Sequence, residues 1–257
     1  MTRKNIFLMC FLLLTAYVYA DDRKTLKDYC SNLPFAMPEM REPQFPPKQV
    51  SIVDFGAVPD GYTLNTKAFA EAIAACVKSG GGTVIIPAGT WLTGPIKLED
   101  NINLHAEKGA LVQFSKNIND YPFVQSPEGR QNRYGRAQLI SAYRAKNIAV
   151  TGEGIFNGAG EVWRYVLRED LTELQWKALV ASGGVVSENG EEWWPSKEAM
   201  GAERFLKAAA DANKVLTLAE YESTKEYLRP NLVNFVDCNG VLLDGPTFEN
   251  SPRYHII

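Results

Sequence analysis

The chain has 257 residues, 46% of them hydrophobic and 22% charged, with 27 Lys and Arg against 30 Asp and Glu for a formal net charge of −3. These proportions exclude a disordered or collagen-like chain, and the missing basic surplus excludes a polybasic surface for nucleic acid or anionic membrane. The only histidines, His105 and His255, are too few for a multi-histidine metal centre, so neither metal nor cofactor is expected.

Arg3 and Lys4 precede an apolar run over 6–19, and Val18 and Ala20 stand three and one positions before Asp21. That pattern reads as a secretory signal peptide over 1–20, giving an exported protein that begins at Asp21. A membrane anchor would need roughly 20 apolar residues. Cys30, Cys76 and Cys238 then remain, an odd number that allows one bridge at most and favours buried thiols. Pro34, Pro38, Pro43, Pro46 and Pro47 make 21–49 an irregular arm.

From residue 50 the pattern changes. VSIVDF (50–55) alternates as a strand, and a loop over 56–65 leads to Asn65 or Thr66 as a helix cap. Ala68, Phe69, Ala72, Ile73, Cys76 and Val77 share one helical face, and Gly80-Gly81-Gly82 stops the helix. Those glycines enter a strand rather than a helix, the wrong order for a phosphate cradle. Short strands follow at 83–87 and 90–98.

The sequence then repeats itself. Asn101-Ile102-Asn103-Leu104 resembles Asn147-Ile148-Ala149-Val150, and 147–157 resembles 240–250. The second match pairs Ile148 with Val241, Val150 with Leu243, Gly152 with Gly245, Ile155 with Phe248 and Asn157 with Asn250. The offsets read as two and four multiples of a unit of roughly 23 residues, a solenoid period. Strands this short bury their apolar face only by stacking. The expected fold is therefore all-β, a right-handed parallel β-helix over 50–257 with the 68–77 helix capping its first turn. His105 matches Thr151 in the repeat and reads as a structural rung.

Residues 159–230 break the period. Helices are expected at 161–181, 197–211 and 218–228, with Trp193-Trp194-Pro195 between the first two, as an insertion projecting from one turn. Its four tryptophans, Trp163, Trp176, Trp193 and Trp194, suit either packing or sugar stacking. Arg130, Arg133, Tyr134 and Arg136 fall in a loop before the 138–150 strands. Arginine suits a carboxylate and tyrosine offers a face to a sugar ring, so Arg133, Tyr134 and Arg136 are the candidate substrate-binding residues.

The runs VDFGAVPDGYTLNTKAFAEAIAAC (53–76), GGGTVIIPAGTWLTGPIKL (80–98), NIAVTGEGIFNGAG (147–160) and RPNLVNFVDCNGVLLDGPTFENSP (229–252) resemble glycoside hydrolase family 28. That resemblance implies polygalacturonase-like, inverting hydrolysis of pectin, with a galacturonate-containing polysaccharide as partner and no membrane association after signal removal. Asn157 stands where the family usually has Asp. The family's N-T-D, D-D, G-H-G and R-I-K motifs would lie beyond 229–252, and none follows residue 252, so no catalytic residue is assigned. The expectation is an incomplete β-helix, the N-terminal part of such an enzyme, inactive as it stands and prone to self-association. A polysaccharide lyase on the same solenoid and a non-catalytic sugar-binding or adhesin fragment remain alternatives.

Overall fold

The computed structural model describes residues 26–37, 40–125 and 133–257. The expected signal peptide and Arg130 lie outside the described residues. Residues up to Glu42 and those from Pro43 onward form separate units. The first holds a short helix, α1 (Leu26–Cys30), and residues 31–37 carry neither helix nor strand.

The second unit is a right-handed parallel β-helix. Its first turn opens on β1 (Gln49–Ser51) and leaves the ladder at a 3₁₀ turn, Ile52–Phe55. The alternation of VSIVDF suggested a strand through to 55. Instead the Val53 amide donates to the Ser51 hydroxyl, and the Ser51 amide donates to the Asp54 carboxylate. This reciprocal cap satisfies amides that a longer strand would have to pair.

Helix α2 (Thr66–Lys78) buries Ala68, Phe69, Ala72, Ile73 and Cys76 over the first turn, leaving Val77 at its exposed edge. Burial pushes the Cys76 thiol up in pKa, and Cys30, Cys76 and Cys238 are all free. The Asn65 side chain does not cap the helix. It clamps the preceding loop, accepting from the Val58 amide at 2.8 Å and donating to Leu92 O at 3.1 Å.

The second turn holds β2 (Gly82–Ile86), β3 (Gly89–Thr93) and β4 (Ile96–Lys97). The third holds β5 (Ile102–Ala106), β6 (Ala110–Phe114), a hairpin of β7 (Phe123–Gln125) and β8 (Tyr134–Arg136), then β9 (Ile140–Tyr143). The fourth holds β10 (Lys146–Gly152), β11 (Ile155–Asn157), the insertion, and β15 (Val233–Val236). Within the insertion lie β12 (Val166–Leu167), α3 (Glu173–Ala181), β13 (Val185–Val186), β14 (Glu192–Trp194), α4 (Lys197–Asp211) and α5 (Leu218–Glu222). The fifth holds β16 (Asn239–Asp244) and β17 (Thr247–Glu249). Residues 254–257 then hydrogen-bond back to β15.

Three parallel sheets result: β1-β2-β5-β10-β16, β3-β6-β11-β17 and β4-β9-β15. Each sends a fully buried column inward. Val84, Leu104 and Val150 stack in the first, Trp91, Val112 and Phe156 in the second, Ile96, Ile140 and Val233 in the third. Trp91 hands its indole proton to Pro87 O at 2.7 Å, so its large ring enters the core without an unpaired donor. Outside the first sheet, Thr151 donates to Asn103 Oδ1 and meets His105 Nδ1, each at 2.8 Å, which fixes His105 as a rung of a polar ladder.

Two expectations about the repeat need correction. The offsets of 46 and 93 are single turns, not two and four units, because β10 pairs directly with both β5 and β16. A bare turn takes about 20 residues, as between Thr83 and Asn103; loops supply the rest. The register also slips at one corner. Ile148 pairs with Val241 and Val150 with Leu243 as read, but Ile155 faces Thr247, Phe156 faces Phe248 and Asn157 faces Glu249. Glu153 and Gly154 turn the corner in one turn where Pro246 alone does so in the next. A one-residue slip exchanges the faces of a strand. Here it stacks Phe156 on Phe248 with ring centroids 5.5 Å apart.

The insertion is less helical than its composition suggested. The stretch expected as one helix over 161–181 is helical by α-type bonds only from Glu173, because Val166 and Leu167 pair with Trp193 and Glu192. Helix α5 likewise covers only the first part of 218–228. Its start is held by Glu220, which accepts from the Lys214 ammonium and from the amide and hydroxyl of Thr217. The Lys214 bond first, then those from Thr217, draw the Glu220 carboxyl down to about 2. A depressed carboxyl stabilises the folded state above its ordinary value of 4.5 and loses that contribution as pH falls through about 2. Amide protection in α5, taken as the exchange rate relative to an unstructured chain at the same pH, is therefore expected to fall on acidification across this window, and Glu220→Gln to flatten that dependence.

Candidate substrate groove

Two long loops leave the solenoid at the same corner, between the second and third sheets: residues 115–139 after β6 and 158–232 after β11. In the turn before them Gly94-Pro95 crosses that corner alone. Turns that stack in register bring equivalent corners together, so hairpin and insertion meet beside the sheet β4-β9-β15. Tyr134 of the hairpin packs on Tyr221 of the insertion, with centroids 5.7 Å apart.

Between them lies a groove of about 380 Å³. Strand alternation turns Ile140 and Ala142 into the core, leaving Ser141 and Tyr143 toward the groove floor with Asn234 and Val236 of β15. Val124, Arg133 and Tyr134 form one wall, and Leu228, Arg229 and Asn231 the other. Arg253, just after β17, closes one side. The Asn231 amide donates to Gln138 Oε1 at 2.6 Å, and Gln138 Nε2 donates to Arg136 O at 2.8 Å, so the Gln138 side chain ties the main chain of the two walls together.

The groove is cationic. Arg133, Arg136, Arg229 and Arg253 line it, and no Asp or Glu is among its described lining residues. The structure thus brings together Arg133, Tyr134 and Arg136, the three residues singled out in the sequence, but gives them unequal work. Arg133 is exposed, and Tyr134 is half-buried against Tyr221. Arg136 is buried and spends its guanidinium on the protein, donating to Tyr121 O at 2.7 Å and twice to Lys225 O, with Phe123 under its plane at 4.6 Å. Burial chiefly lowers its pKa, against the raising influence of Glu222 and Glu226. Arg136 is thereby a brace between hairpin and insertion. Arg136→Met is expected to leave two main-chain carbonyls short of donors and to cost roughly 2–5 kcal/mol, read as a fall in denaturation midpoint.

Sequence reasoning missed Arg229 and Arg253. Each flanks a β-helix strand at the corner where the loops emerge, and once the turns are in register that position places both at the groove. Among the described residues, no group of three or more His, Cys, Asp or Glu is placed to hold a metal ion, and no helix is long and apolar enough to cross a membrane.

Residues 49–194 match the family model described as rhamnogalacturonase A/epimerase, pectate lyase-like. A probable polygalacturonase of Vitis vinifera is 32% identical over 161 residues, which cover 56% of this chain and 33% of the relative. An exo-poly-alpha-D-galacturonosidase of Dickeya chrysanthemi is 34% identical over 122 residues, covering 44% of this chain and 20% of the relative. The crystal structure of a hyperthermoactive exopolygalacturonase from Thermotoga maritima superposes with a TM-score of 0.59 at 30% identity, covering 82% of this chain and 44% of that one. The chain thus spans a third or less of these two curated relatives. The matched stretch is more than half of the chain and contains the first three turns, the opening strands of the fourth and the first part of the insertion, so the protein belongs to the rhamnogalacturonase A/epimerase, pectate lyase-like family.

Proposed function

We propose that the protein is exported and forms the polymer-binding part of a polygalacturonase-like glycoside hydrolase acting on pectin, with the arginine groove holding the carboxylates of a galacturonate polymer. The observation that carries this reading is the groove's lining: Arg133, Arg229 and Arg253 beside the braced Arg136, and no described carboxylate, on the outward face of a β-helix sheet. Guanidinium groups bind carboxylates in two-point fashion, and Tyr134 and Tyr143 offer ring faces to the sugars between them. Inverting hydrolysis needs two carboxyl groups about 6.5–9.5 Å apart, one as acid and one as base. The described groove residues include no such pair, so these residues bind and orient rather than transfer protons.

Affinity electrophoresis of the 257-residue chain through gels containing polygalacturonate tests this. Retardation is expected, stronger at low salt and abolished when the polymer is fully methyl-esterified. Unretarded migration would overturn the reading. Reducing-sugar release by the same chain is expected to stay at the no-enzyme level. Where turnover is present, Arg133→Ala is expected to raise KM more than it lowers kcat, because it removes a contact remote from the bond broken.

A further inference from the structure

A second cavity, of about 430 Å³, lies on the insertion side and has the opposite chemistry. Tyr165 and Trp194 form its aromatic wall, stacked at 4.6 Å with their planes 23° apart. Glu192, Glu203 and Glu226 line it against two arginines, Arg164 and Arg229. Glu192 and Glu226 each use one carboxylate oxygen inside the wall, for Trp194 Nε1 at 2.9 Å and for the Ser196 hydroxyl at 2.5 Å. Their other oxygens have no hydrogen-bond partner among the described residues. Trp163, also in the lining, is nearly fully buried, and its indole Nε1 has no hydrogen-bond partner. That nitrogen is sealed from the cavity, so its N–H serves as a reporter beside the site and not as a donor to an occupant.

We propose that this cavity binds a neutral sugar residue. Three carboxylates against two guanidiniums disfavour a uronate, and the arginines disfavour an organic cation. Hydroxyl groups, which both donate and accept, fit a lining of mixed acceptors and donors, and the C–H face of a pyranose fits the ring wall. The volume is that of a small-molecule site. Arg229 lines both this cavity and the arginine groove, so the two open beside each other. The occupant is thus a neutral branch of the acidic polymer in the groove, and to that extent the inference rests on the proposed function.

The test is an NMR titration of the full chain, following the Trp163 indole N–H resonance, assigned by its loss in Trp163→Phe. The probes are β-1,4-galactotetraose, α-1,5-arabinotriose and trigalacturonate. A saturable shift with either neutral oligosaccharide, and none with trigalacturonate, is expected. Trp194→Ala should weaken neutral-sugar binding at least tenfold while polygalacturonate retardation stays at the wild-type level. Glu203→Gln, at an exposed position, should weaken it several-fold even if Trp194→Ala does not fold. Absence of a shift with both neutral probes at millimolar concentration, or an equal shift with trigalacturonate, would overturn the inference. Neutral-sugar binding that persists without polygalacturonate retardation would sink the proposed function alone.

Discussion

Arg253→Ala is expected to lower affinity for polygalacturonate roughly tenfold, and Arg133→Ala by a similar factor. A hydrogen bond to a charged partner is worth about 1.5–3 kcal/mol, and about 1.4 kcal/mol is tenfold in an equilibrium constant. Both side chains are exposed at the groove, so the lower end of that range applies. The measurement is the polymer concentration that half-retards each variant. Both losses should shrink at high salt, where exposed charges are screened beyond about 10 Å or less. Thermal midpoints should not move, since neither residue braces the fold as Arg136 does. Equal retardation of wild type and both variants would place the polymer elsewhere on the surface.

A larger effect on stability is expected at a backbone position. Gly152 ends β10 with φ of +97°, and a Cβ there would overlap the carbonyl oxygen of Ala106 in the adjacent turn. Gly245 repeats the arrangement one turn later, against the Gly152 carbonyl. Gly152→Ala combines the left-handed penalty, about 1–2 kcal/mol, with overpacking, about 1–3 kcal/mol. At this chain length that is a fall in Tm of roughly 4–20 °C. Gly183 is the control: its φ is +116°, but nothing lies within 4 Å of its Cβ position. Gly183→Ala should cost the backbone penalty alone, and equal losses at both positions would remove turn-to-turn contact as the cause.

The stacked core was legible in the residues because its signals are local and repeated. Strands of alternating Val, Ile, Leu and Phe bounded by Gly or Asn can bury one face only by stacking, and the Gly152–Gly245 match located the shared corner. The pairing beyond that corner was not legible, since Ile155 against Phe248 and Phe156 against Phe248 are equally apolar choices. Core geometry decides between them by placing both phenylalanine rings inside. The helix expected over 161–181 failed where β12 finds β14, a pairing 25 or more residues away that no local propensity encodes. For the groove, Arg133, Tyr134 and Arg136 were visible as a cluster in one loop. Their division of labour was not, because Lys225, which supplies the carbonyl that holds Arg136, is 89 residues distant. Arg229 and Arg253 belong to the groove only through the register of the turns, and nothing in their immediate neighbours marks them.

The uneven length of the turns also sets an order of events during synthesis. Strand β10 finds its earlier partner, β5, 46 residues behind it, but β16 follows 93 residues later. At about 5–20 residues per second on the ribosome, that strand edge waits roughly 5–20 s for its second neighbour. The insertion emerges in that interval, and its helices and short antiparallel strands form from contacts nearer in sequence, which close faster. The wall of the groove is therefore made before its floor is finished, and β15 docks onto β9 with the walls already waiting on either side.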